Sequence, residues 1–98
     1  MRAVSDASTP VNIVNHAYYN LAGHGAGSDH GLYDHLVSIR APWFTPVDKE
    51  LIPTGDISPV LGTQFDLTNE VRLGNVINSV QGPTPENNGF DHNFVVSR

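Results

Sequence analysis

His16 is the histidine whose neighbours raise a functional role, as part of a sugar-facing surface. Asn15, Tyr18 and Asn20 supply amide and phenol groups within a few positions of the imidazole. Sugars need such directional groups for their hydroxyls and a flat apolar surface for their C–H faces. Trp43, Phe44 and Tyr33 are further candidate platforms, with core packing as the competing role for each. Asp91, between Phe90 and His92, could accept two sugar hydroxyls or cap a turn after Asn88-Gly89. Taken alone, His16 is better explained as a hydrogen-bonded core residue; its neighbours are what point to a polyol.

His24, His30 and His35, with Asp29 or Asp34 nearby, raise the alternative of a metal site. Their spacing matches no ordinary zinc signature, so scattered surface histidines are expected and no metal is assigned. No phosphate loop, nucleophile elbow or paired-carboxylate motif stands out.

The elements that must position these residues read as short strands between turns. Pro10 to Leu21 alternates: Val11, Ile13, Asn15, Ala17, Tyr19 and Leu21 on one face, and Asn12, Val14, His16, Tyr18 and Asn20 on the other. A strand is expected there. After a Gly-rich loop from Gly23 to Gly31, a second strand is expected over His35 to Ala41, with His35, Val37, Ile39 and Ala41 sharing a face and Pro42 ending it. Turns are expected at Thr45 to Asp48 and at Pro53-Thr54-Gly55. Pro59 makes Ile57 to Leu61 an edge strand or an irregular stretch. A short strand within Gln64 to Leu73, one turn of helix near Val76 to Val80, a loop over Gln81 to Gly89 and a last strand from Phe90 to Val96 complete the pattern. The fold class is all-β.

The chain has 98 residues, 39% hydrophobic and 15% charged, which suits one domain and not a disordered chain. The net charge of −5 and the lack of a basic patch argue against nucleic acid as a partner. No apolar run approaches a membrane span, and no sequon or hydrophobic signal core is present. With no cysteine, a cytoplasmic protein is expected.

The wording of the sequence goes further than its periodicity. Thr9-Pro10-Val11-Asn12-Ile13-Val14-Asn15-His16-Ala17-Tyr18-Tyr19-Asn20-Leu21-Ala22-Gly23 resembles the histidine motif of aldose 1-epimerases, the galactose mutarotase family. Thr45-Pro46-Val47-Asp48 with Leu51-Ile52-Pro53-Thr54-Gly55 resembles the family's next block. Gly62-Thr63, Phe65-Asp66-Leu67 and Arg72-Leu73-Gly74 follow in order, and Gly89-Phe90-Asp91-His92-Asn93-Phe94 resembles its last block. Ala17 stands where the family often has serine, Pro42-Trp43 and Thr68-Asn69-Glu70 also depart from its usual wording, and nearly the whole chain is covered.

The resemblance implies a large antiparallel β-sandwich, of which residues 1–98 are a central segment of about a third. It implies a free aldose such as galactose or glucose as substrate, interconversion of its α and β anomers, and no cofactor or metal. By its motif His16 matches the catalytic histidine that protonates the ring oxygen, a task that suits imidazole with its ordinary pKa of about 6.5. Asp91 matches the substrate-binding aspartate on a sugar hydroxyl. The family's second histidine and arginine lie upstream of these motifs, and its glutamate base lies downstream. These residues alone are therefore expected to be weakly active or inactive, with self-association through exposed strand edges. A non-catalytic carbohydrate-binding or interaction module derived from the family is the alternative.

Overall fold

The computed structural model describes residues 1–27, 31–81 and 88–97. Within them the chain is all-β apart from one short helix, with every strand pair antiparallel.

The alternation from Gly31 to Ala41 shapes the first sheet. His35, Val37 and Ile39 are half-buried and Ala41 is buried, while Leu32, Asp34, Leu36, Ser38 and Arg40 are exposed. The expected inward face is therefore present. Strand β1 is nonetheless short, Leu36–Val37, because its partner β4, Val71–Arg72, is short too. Leu36 pairs with Arg72 and Val37 with Val71. Beyond the ladder, the Ile39 N–H donates to the Leu67 carbonyl at 2.7 Å. Helix α1, Leu73–Val76, follows β4 at once and runs into a 3-10 turn, Ile77–Ser79. The helical turn thus begins a little earlier than the sequence pattern placed it. Its first amides point back at β1: Leu73 N–H donates to the His35 carbonyl at 2.8 Å, and Gly74 N–H to that of Tyr33 at 3.0 Å.

The second sheet has the order β3-β2-β5. Its central strand β2, Trp43–Thr45, lies just past Pro42, which ends the preceding stretch without ending extended structure. Pro42 has no N–H to give, but its carbonyl accepts the Val60 N–H at 3.0 Å. Strand β3, Ser58–Pro59, lies on the sheet edge, where a proline is tolerated. Strand β5, Asn93–Val95, falls inside the stretch expected for the last strand. Trp43, Phe44 and Thr45 pair with Val95, Phe94 and Asn93.

Thr45 is a strand residue, so the first expected turn begins at Asp48 instead. The Asp48 carboxylate accepts the N–H groups of Glu50 at 2.8 Å and Ile52 at 3.0 Å. Val47 then bridges to Pro53, and Leu51 takes a left-handed φ of 64°.

The core gathers Phe44, Val60, Phe65 and Val80, with Phe90 and Phe94 packed against it. Phe44 is thus a core residue and not a sugar platform. Most of the loop over Gln81 to Gly89 lies outside the described residues.

The largest departure is at the N-terminal side. Pro10 to Leu21 forms no strand, and every residue of it is exposed. Alternation and β-branching describe a segment that fits a half-buried pleated surface. They supply no neighbour, and no strand among the described residues pairs with this one.

Candidate active site

His16 lies in this extended, unpaired segment with its ring 5.1 Å from that of Tyr18, the planes inclined by 47°. Both residues are exposed, Tyr18 at 90%. Imidazole and phenol therefore lie side by side at the surface.

The end of the segment is a turn, where the alternation suggested continued strand. Gly23 N–H donates to the Asn20 carbonyl at 3.3 Å, and the Asn20 side-chain amide donates to the Gly23 carbonyl at 3.0 Å. Gly23 has a φ of 84°, which glycine adopts without penalty. So Asn20 spends its amide on shaping the chain. Within this turn, the Leu21 N–H donates to Nε2 of His35 at 3.0 Å. That contact joins residues far apart in sequence, and no local pattern marks it.

Asp91 is placed by a clean alternation. Phe90, His92 and Phe94 are half-buried, while Asp91 and Asn93 are exposed. The inward set includes His92, whose ring lies 4.4 Å from Phe65 and 6.0 Å from Phe44. Burial lowers the His92 pKa below 6.5, partly offset by the Asp91 charge, which raises it. The Asp91 N–H donates to Nδ1 of His92 at 3.4 Å. The Asp91 carboxylate has no hydrogen-bond partner among the described residues and is not used as a turn cap.

Among the described residues no hydrogen bond, ion pair or ring contact joins His16 to Asp91. Tyr33, half-buried, sits beneath Gly74, and Trp43 is a half-buried strand residue. His30 and Asp29, two of the residues considered for a metal, lie outside the described residues. Of the others, His35 uses both ring nitrogens on backbone groups, and Asp34 is ion-paired with Arg72. Glu50, a carboxylate that no family motif marks as a base, is exposed and 3.6 Å from Lys49.

The family model described as aldose 1-epimerase matches residues 1–98. The chain belongs to the aldose 1-epimerase family. Similar relatives carry the names galactose mutarotase and aldose 1-epimerase. The galactose mutarotase of Sus scrofa is 50% identical over 97 residues, covering 99% of this chain and 26% of its own length. That of Homo sapiens is 46% identical over 97% of this chain and 25% of its own. The aldose 1-epimerase of Escherichia coli (strain K12) is 33% identical over 97% of this chain and 26% of its own. The chain thus spans about a quarter of these relatives, less than the third expected. Its antiparallel strands accord with the β-sandwich of aldose 1-epimerases.

Proposed function

We propose that these residues carry the acid half of an aldose 1-epimerase site, with His16 as proton donor and Asp91 as a sugar-hydroxyl acceptor. The observation that carries this is the family match over residues 1–98, with His16 and Asp91 inside blocks worded like the family's own. The exposed His16–Tyr18 pair and the uncommitted Asp91 carboxylate support it.

In this reading, a base removes the proton from the anomeric hydroxyl while His16 protonates the ring oxygen. The C1–ring-oxygen bond breaks to give the open aldehyde. Rotation about C1–C2 presents the other face of the carbonyl. The ring oxygen then attacks C1 and returns its proton to His16, and the base returns the other to O1. Galactose or glucose fits as the aldose, and the sequence identifies neither above the other.

A second reading, a carbohydrate-binding module without turnover, is favoured by one observation. Among the described residues no carboxylate contacts His16. An acid or base group typically contributes about 10²- to 10⁴-fold, so these residues without a partner base are weakly active or inactive.

Polarimetry of freshly dissolved α-galactose and α-glucose, with the chain and with His16→Ala, separates the readings. Relaxation at the buffer rate for both proteins, with galactose shifting the NMR signals of His16 and Asp91, is the expected result. Acceleration by the chain and not by His16→Ala would keep His16 as the acid and show that a base is present. Signals of His16 and Asp91 untouched by either sugar would overturn the proposal.

A further inference from the structure

We propose that His35 is a positioning residue, whose neutral imidazole anchors the His16 segment to the β1–β4 sheet. The link to catalysis rests on the reading of His16 given above; the anchor itself rests on geometry alone.

Nδ1 of His35 lies 2.6 Å from the Gly31 carbonyl, and Nε2 lies 3.0 Å from the Leu21 amide nitrogen. A carbonyl oxygen can only accept, so Nδ1 carries the proton. An amide N–H can only donate, so Nε2 offers its lone pair. The two partners together select one neutral tautomer and leave neither ring nitrogen for other chemistry.

The platform under this ring is fixed on both sides. The His35 carbonyl accepts the Leu73 N–H at 2.8 Å, and the next residue, Leu36, is paired with Arg72. On the other side, Asp34 is ion-paired with the same Arg72. The group it holds is equally well defined, since Leu21 sits in the turn closed by Asn20 and Gly23. Among the described residues, this is the hydrogen bond that carries the segment around His16 onto a sheet. Pro10 to Ala17 are all exposed, and among the described residues none of them makes a backbone–backbone hydrogen bond. The place at which His16 leaves the fold is therefore set at Leu21, by His35.

The test is NMR on the whole chain with two variants. His35→Leu removes both bonds, whereas His35→Gln keeps a side-chain oxygen that can accept the Leu21 N–H. Nitrogen-15 shifts of the wild-type ring are expected to report an Nδ1-protonated neutral imidazole. In His35→Leu, Leu21 amide exchange is expected to rise about five- to tenfold, the worth of one net hydrogen bond. The His16 and Tyr18 signals should move with it, while the Val60 amide, bonded to Pro42, stays protected. His35→Gln should restore part of the Leu21 protection. Unchanged Leu21 exchange in His35→Leu would overturn the anchor, as would a wild-type ring of the other tautomer. Loss of Val60 protection in both variants would reduce His35 to a general structural residue and overturn the positioning role. Galactose is added last: failure to shift His16 in the wild type removes the acid assignment and leaves the anchor decided by the exchange data.

Discussion

Phe44 and Phe65 stack with ring centroids 4.2 Å apart and planes 25° from parallel, and His92 closes over both. The stack ties strand β2, the loop before β4 and the residues leading into β5 into one core. Aromatic pairing of this kind adds to the area term of burial. Phe65→Ala would empty a site that is 7% exposed, and large-to-small changes of this kind cost about 3 to 5 kcal/mol. Urea unfolding followed by Trp43 fluorescence is expected to show that loss, with a smaller one for Phe65→Leu.

Because His92 belongs to this stack, acid should weaken the fold through it. Its folded-state pKa lies below 6.5, so the unfolded chain binds the proton more readily. Stability should then rise with pH between the folded value and about 6.5, and be fully present above it. Lowering the pH from about 8 to about 5 is expected to destabilise the wild type more than His92→Phe. Equal losses measured by urea unfolding would contradict the assignment.

Gly74 and Gly62 are glycines for different reasons, and alanine should separate them. A Cβ on Gly74 would stand 2.8 Å from the Tyr33 Cβ and 3.0 Å from its carbonyl oxygen, so the α1–β1 junction must open. Overpacking of this sort costs about 1 to 3 kcal/mol. At Gly62 a Cβ meets nothing within 4 Å, and only its φ of 77° penalises alanine, by about 1 to 2 kcal/mol. Loss of stability in Gly74→Ala should come with shifted Tyr33 and His35 amide signals; in Gly62→Ala those signals should stay.

Asp48 accepts two backbone donors in the loop between Val47 and Pro53. Asp48→Ala leaves those donors to solvent and is expected to cost about 1 kcal/mol, with Asp48→Asn nearly neutral. Faster amide exchange at Glu50 and Ile52, confined to that loop, is the check.

Legibility of the fold followed how local each cause is. The inward face at His35 to Ala41 could be read because alternation is a property of adjacent residues. Strand β2 was hidden behind Pro42, whose missing N–H ends a ladder on one side only. Pro10 to Leu21 has the composition of a strand and lacks the partner, which no local pattern can supply. Asp91 was raised as a carboxylate at the start of a strand and matched by its block; its exposure is a finding of the structure. His16 was raised by its polar neighbours, and only the wording of its motif gave it a proton-donor role, since a histidine taken alone is better explained as a core residue. His35 was considered for a metal, and its anchoring role depends on Leu21 arriving from a distant segment.

The pairing of Val47 with Pro53 also bears on time. It closes a loop of a few residues, whereas Thr45 and Asn93 are partners from far apart in the sequence. Closing short loops costs less entropy, so contacts of low separation form first and distant ones set the rate. The Asp48 loop should therefore gain amide protection before the β2–β5 ladder in pulse-labelled refolding; simultaneous protection would refute this order. On that order, Asp91 reaches its place only as β5 docks, leaving the proposed sugar-binding aspartate among the last groups to be installed.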